Sequence, residues 1–338
     1  MKIKRIVYSV IAACAVLTLT GCNQNDGTEE VGAPTPKVEI RLGGSVTGVE
    51  PRSVINNGQT ITAQLLGRDG AAGGNWSAAT HAWTANGTFT TSTDGNSVRM
   101  ADKQYYNNEN ADKHTYILGI YPSGTLQGNK VTFNTLDGQQ DVMLSQWVDA
   151  GCKSQFVDGE GDAKPDAPQP ATMTFEHCTA QLYFDACLVA NEKGGLFQSP
   201  VYMESITLKN VSLPQAADIS VPAIEFTAAP ADLSVAGINS KRLYATAAVC
   251  GNPVMINASG EIRLDIAINV DGARKVFSNV LITKEGTDTN LVTEIGKRHK
   301  VSLAFKAPET PEDGSVEINI SAVIKEWVEG DSGSNTLQ

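Results

Sequence analysis

The chain has 338 residues, with 26 Lys+Arg against 37 Asp+Glu and a formal net charge of −11. So acidic a balance argues against nucleic acid as a partner and against electrostatic docking on anionic lipid. The length suffices for two domains with their own cores. Beyond the N-terminus no stretch approaches the ~18 consecutive apolar residues of a membrane span.

The first element is a leader. Lys2, Lys4 and Arg5 give it a positive start, and residues 6–19 are apolar or small apart from Tyr8, Ser9 and Thr18. That is the length of a signal-peptide core, short of a comfortable bilayer span. It ends in Leu19-Thr20-Gly21-Cys22, which resembles the lipobox of bacterial lipoproteins. The resemblance implies a signal peptide over 1–21 and a mature chain beginning at Cys22. The sulfur of Cys22 would carry a diacylglycerol and its freed amine an acyl group such as palmitate. The competing reading is a plain secretory signal with a chance cysteine. Residues 22–36 form an acidic polar tether. Its head, Asn23 to Glu30, resembles the tag that sends lipoproteins of some Gram-negative anaerobes to the outer face of the outer membrane. The localisation so implied is the cell surface, held by the lipid alone.

Past the tether, period two dominates. Val38, Ile40 and Leu42 alternate with Glu39 and Arg41. From Ala180 to Leu188 the residues Ala, Leu, Phe, Ala and Leu alternate with Gln, Tyr, Asp and Cys. Ile262, Leu264, Ile266, Ile268 and Val270 repeat the pattern, as do Val301, Leu303 and Phe305, and then Val316, Ile318, Ile320 and Ala322. Each is a half-buried strand with one face in a core. Turn signals separate them at Asn56-Asn57-Gly58, Asp94-Gly95-Asn96, Asp137-Gly138, Asp271-Gly272 and Asp313-Gly314. No long stretch carries a helical period. The chain is predicted to be all-β, built as sandwiches or barrels.

Residues 158–170 are acidic and hold three prolines, so they form a surface loop. Residues 191–200 contain Gly194-Gly195 after a long strand and mark a domain boundary. The predicted division is an N-terminal domain over 37–192, a C-terminal domain over 193–329 and a polar tail over 330–338. With Cys14 in the leader and Cys22 acylated, Cys152, Cys178, Cys187 and Cys250 remain. Four cysteines in an exported chain allow three full pairings, and a buried free thiol is the other reading. They show no zinc spacing.

The residue constellations of enzymes are not found. His81, His114, His177 and His299 lie in no HExxH, and no GxSxG, P-loop or GxGxxG is present. The chain is therefore expected not to be an enzyme, and neither a cofactor nor a resident metal is expected. His177, at the entrance to a strand, reads as a hydrogen-bonded structural residue. Asp158-Gly159-Glu160-Gly161-Asp162 alternates acids as a calcium loop does, but Ala163 and Gln169 stand at the sixth and twelfth places, so a solvated loop is favoured. Trp76, Trp83, Trp147 and Trp327 read as strand-face residues, with a sugar platform as the alternative.

Several strands, in order, carry a resemblance. These are Tyr116 to Pro122, Asp141-Val142-Met143, the run Met173 to Leu182 with its Phe175-x-His177, Ile206 to Asn210, and Gly296 with residues 300–305. Ile318 to Trp327 closes the series. Over about 290 residues this order resembles the fimbrillin family, lipoprotein subunits of the type V pili of gut and oral Gram-negative anaerobes. Two departures are visible: His299 stands where the family has the Tyr of Gly-x-x-Tyr, and Trp76 lacks the following Gly-Asp. The resemblance implies two tandem transthyretin-like β-sandwich domains that assemble by strand exchange. An Arg-specific protease would remove the lipidated N-terminal strand, and a strand of the next subunit, of the same or another kind, would enter the groove. Mapped here, Val38, Ile40 and Leu42 are the plug and Arg52 is the cut point, with Arg41, inside the strand, as its competitor. Pro36 bounds the plug on one side, and the breakers Gly43-Gly44 and then Pro51-Arg52 follow on the other as an accessible joint. The implied function is a shaft or tip subunit of an adhesive pilus. The alternatives are a lipid-retained anchor and a non-polymerising adhesin or glycan-binding lipoprotein that meets a host or bacterial surface ligand.

Overall fold

The computed structural model describes residues 36–47, 57–92, 95–134, 136–285, 287–309 and 316–326. The leader, the tether up to residue 35, Arg52, Trp327 and the polar tail lie outside the described residues. The chain opens with β1 (Leu42–Val46), β2 (Thr60–Gly70), β3 (Thr80–Thr90), β4 (Asn96–Met100) and β5 (His114–Tyr121). A small hairpin, β6 (Thr125–Gln127) and β7 (Lys130–Thr132), comes next. Then come β8 (Met143–Ser145), β9 (Val148–Asp149), the short helix α1 (Lys153–Phe156) and β10 (Ala171–His177). The second half starts with β11 (Ala180–Val189), β12 (Val201–Val211), β13 (Pro214–Asp218) and β14 (Ala223–Phe226). The short strands β15 (Ala231–Ser234), β16 (Lys241–Arg242), β17 (Ala248–Val249) and β18 (Val254–Ile256) follow. Four long ones close the chain: β19 (Arg263–Val270), β20 (Ala273–Leu281), β21 (Lys297–Lys306) and β22 (Glu317–Glu326). The chain is all-β, as its period-two pattern predicts.

The first half forms a barrel where the family resemblance implies a sandwich. Strands β2, β3, β4, β1, β10, β8 and β5 pair in that order, and β5 pairs back onto β2, so seven strands close a ring. The long strand β2 makes this closure. It pairs β3 from Thr60 to Asp69 and β5 from Gln64 to Gly70, with a bulge at Gly67/Arg68 that bends it round. Closure leaves no exposed edge in the ring. Inside, the rings of Phe89 and Phe175 stack with centroids 5.4 Å apart, among Ile61, Leu65, Ile117 and Met173. A Cβ on Gly119 would stand 2.3 Å from the Phe175 ring, so this position of β5 requires glycine. The Gly119 amide donates to Ser145 Oγ at 2.7 Å.

A four-stranded sheet, in the order β14-β13-β7-β6, covers one outer face of the barrel. Leu66, Leu118 and Ile120 from the barrel meet Val131, Ala217 and Ile219 from that sheet. Trp76 is buried between them and donates its indole N–H to the Ile219 carbonyl. Arg68 lies 4.3 Å over the Trp76 ring, and its two Nη groups donate to the Trp76 carbonyl and to Asn129 Oδ1.

The rest is a sandwich. One sheet runs β17-β11-β21-β22 and the other β15-β12-β19-β20. Phe184, Leu182, Val301 and Phe305 face Ile206, Leu264, Ile266 and Ile268 across its core. The parallel β11–β21 ladder runs from Gln181↔Arg298 to Val189↔Lys306. The four cysteines are free. Burial pushes the Cys178 thiol up to about 12 and that of Cys250 up to about 11, which makes them poor nucleophiles.

His299, on β21, is fully buried, and its Nε2 accepts the Glu294 amide at 3.1 Å. Burial holds its pKa below the ordinary 6.5. The folded chain therefore keeps this ring neutral where the unfolded chain takes up a proton, so the fold loses stability as pH drops below 6.5. The melting temperature should fall between about pH 7 and about pH 5, and His299→Phe should flatten that slope. An unchanged slope in the variant would mean that other groups set the pH response.

Candidate functional site in the barrel wall

The segment singled out by its alternation is the stave that completes the barrel. β1 lies between β10 and β4. It runs parallel to β10 from Leu42↔Ala171 to Val46↔Phe175 and antiparallel to β4 at Leu42↔Val98 and Gly44↔Asn96. Just before it, the Ile40 amide donates to Gln104 O at 2.9 Å and the Tyr106 amide to Val38 O at 3.1 Å. After it, the Val46 amide donates to Ser92 O at 3.1 Å and the Thr47 amide to Phe175 O at 3.0 Å. The segment is thus hydrogen-bonded on both sides from Leu42 to Val46 and on one side at Val38 and Ile40.

Its inward row is Val38, Ile40, Leu42, Gly44 and Val46. Ile40, Leu42 and Val46 are buried, and half-buried Val38 packs on the same core. Each large side chain contributes on the order of 1.5–3 kcal/mol by leaving water. The outward row is polar where it is not glycine. Glu39 forms an exposed 2.7 Å pair with Lys103, and Ser45 Oγ donates to Thr174 Oγ1 at 3.1 Å. Lys37 lies 5.6 Å over the Tyr105 ring. The Glu39–Lys103 pair is solvated and adds little stability.

Arg41 is exposed and falls between the Glu39↔Tyr105 bridge and the first β1 pair. Here the strand and β4 part, leaving an open cleft of about 1000 Å³ between Ile40–Leu42 and Arg99–Lys103. Arg41 lines this cleft. Cys22 and Arg52 lie outside the described residues.

The sequence marked Gly43-Gly44 as a joint at the end of this strand, but the structure places both glycines inside β1. A Cβ on Gly44 would stand 3.0 Å from Phe89 and 3.0 Å from Val98, and one on Gly43 2.6 Å from Thr172 Oγ1. Glycine within a strand signals such a close approach, and that was the available clue. The partners Gln104 and Tyr106 carried no readable signal, because no strand period runs through them.

The other candidates resolve into structural roles. His177 Nδ1 and Asp141 Oδ2 lie 2.6 Å apart in the interior, which brings together the Asp141-Val142-Met143 and Phe175-x-His177 motifs. Asp158 accepts the amides of Glu160 and Asp162, and these bonds to its own loop lower its pKa. Among the described residues no group of three or more His, Cys, Asp or Glu could hold a metal. Trp76 is buried, Trp83 packs against Gly67, and Trp147 sits edge-on to Tyr116 at 5.6 Å, so these three form no common platform. No helix among the described residues is long and apolar enough to cross a membrane.

No family model and no curated protein matches the chain. The solved structures it is similar to include a candidate cell adhesion protein of Bacteroides uniformis. The identity is 12 %, with 86 % of this chain and 99 % of that one covered at a TM-score of 0.48. A second candidate cell adhesion protein, of Bacteroides ovatus, gives 12 % identity over 88 % of this chain and 100 % of that one, with a TM-score of 0.47. A fimbrial assembly protein of Parabacteroides distasonis gives 11 %, 84 %, 99 % and 0.41 for the same measures. Likenesses of this size assign no function, and the reading below rests on the chain's own residues.

Burial of the stave sets a direct expectation. Ile40→Ala should lower unfolding free energy by about 2–5 kcal/mol, while Arg41→Ala, at an exposed position, should stay within about 0.5 kcal/mol of the parent. Urea denaturation of the two variants side by side measures the difference. Equal costs would show that the segment is not held in the barrel.

Proposed function

We propose that the chain is a surface subunit of an adhesive pilus, made as a lipid-anchored precursor and assembled by strand exchange. The lipobox at Cys22 and the acidic tether support attachment to the outer face of the outer membrane. The body has two parts, the barrel with its covering sheet and the sandwich that begins at β11. An Arg-specific protease cuts after Arg52 and frees the N-terminal segment, and a strand of the next subunit takes its place.

One observation carries this reading: the segment from Val38 to Thr47 is a single stave, apolar along its inner row and paired on both sides from Leu42 to Val46. Its withdrawal would uncover Phe89, Phe175 and Met173 and leave the facing backbone of Asn96–Val98 and Ala171–Phe175 unpaired. Such a gap is a template for another strand, since main-chain bonds supply affinity and alternate side chains supply fit. The cleft beside Ile40–Leu42 gives an incoming chain access to one side of the stave. A lipid-retained anchor would keep the stave in place, and the same burial serves that role if no cut occurs.

The experiment is N-terminal sequencing of the protein recovered from the cell surface, with unboiled gels of the same material. High-mass forms that begin at Ser53 are expected, and Arg52→Ala should leave the precursor exported but unpolymerised. Normal polymer from Arg52→Ala with unchanged N-termini would defeat the proposal. Surface protein that begins only at lipidated Cys22 would assign the chain to the anchor role.

A further inference from the structure

The groove occupied by β1 is not uniformly permissive along its length. Its inner positions take large residues at Ile40 and Leu42 and a branched one at Val46, but glycine at Gly44 between them. A Cβ at position 44 would meet Phe89 Cγ and Cδ2 at 3.0 Å and Val98 Cγ2 at 3.0 Å. Ordinary carbon contacts lie near 3.5–4.0 Å, so even one methyl group overfills the place.

Both neighbours are themselves packed against other strands. Val98 turns its other methyl, Cγ1, toward Gly87, where a Cβ would stand 2.6 Å away, so the valine is wedged between two glycines on adjacent strands. Phe89 is held from behind by its stack on Phe175, whose ring in turn fills the space over Gly119. The obstruction at position 44 is therefore backed by the Phe175 ring on β10 and by the strand backbones at Gly87 and Gly119, and close-packed interiors transmit such strain.

We propose that Phe89 and Val98 form a notch that selects the partner strand. The groove accepts an extended segment with large apolar residues at its second and third inward places, glycine at the fourth and a branched residue at the fifth. Alanine at the fourth place fits poorly, and any larger residue is excluded. The proposal rests on strand exchange at this groove, as set out above, and adds which strand can enter. The occupant is a segment of another subunit that carries this pattern. Strands with an unbroken large apolar row, such as Leu264-x-Ile266-x-Ile268, are rejected.

The test uses the full mature chain, cut at an introduced protease site within residues 48–56 and kept with both pieces present. A fluorescent peptide of residues 37–47 is added, and its capture is followed by anisotropy. The parent peptide and an Arg41→Ala peptide should be captured alike. Gly44→Ala should weaken capture about tenfold and Gly44→Val about a hundredfold, the range that overpacking of a tight interior gives. Val98→Ala in the receiving chain should restore most of the capture of the Gly44→Ala peptide. Capture of Gly44→Val as tight as the parent would overturn the notch while leaving strand exchange standing. Capture of no peptide, the parent included, would overturn strand exchange and the selector with it.

Discussion

The stacked pair Phe89–Phe175 is the contact on which the barrel depends. Two rings side by side across a seven-stranded barrel take up most of its width, and the strands that pass them must give up side chains. Gly119 on β5 lies under Phe175, and Gly44 on β1 lies against Phe89. Gly87 on β3 makes room for Leu65 and Val98. Small residues facing large ones across an interior are how a narrow barrel is filled without voids. Remove the rings and Gly44 and Gly119 become holes; replace those glycines and the rings have nowhere to go. The register of β1 follows from the same contact, because a slip of one residue would push Gly43 inward and Gly44 outward and reverse the whole inner row.

That constraint also joins stability to the assembly proposed for the chain. A stave held by three buried apolar side chains and by ladders on both flanks is costly to withdraw, so exchange needs a cut that turns an intramolecular strand into a separable one. The same depth of burial makes the groove discriminating once it is empty. In the sandwich half the polar interior groups serve the fold alone. His299 is neutral and bonded to a backbone amide, and the Cys250 thiol is buried with its pKa raised.

Much of the all-β architecture was legible. The alternations at Val38–Leu42 and Ile262–Val270 follow one wet face and one dry face, but in Ala180–Leu188 the polar row of Gln181, Tyr183 and Asp185 is buried as well, so that strand is covered on both faces. The closure of the first half was hidden, since β2 reads the same whether one neighbour or two pair with it. The glycines of β1 were read as breakers, although their function is steric and visible only once Phe89 and Thr172 stand beside them. Arg68 over Trp76 was equally out of reach, as a buried cation is readable only from its partners. The pairing of His177 with Asp141 joins two motifs that the sequence had placed in order without linking them.

The four-stranded sheet over the barrel has a mechanical consequence. Two of its strands, β6 and β7, come from residues 125–132, and the other two, β13 and β14, from residues 214–226. The ladder from Thr132↔Ala216 to Lys130↔Asp218 therefore stitches the first half of the chain to the second, and Lys130 adds a 2.7 Å pair to Glu225. A hinge at the chain's midpoint would have to break that ladder and pull Trp76 away from Ile219. A load on the second half that reaches β13 is therefore carried into the barrel side through this ladder.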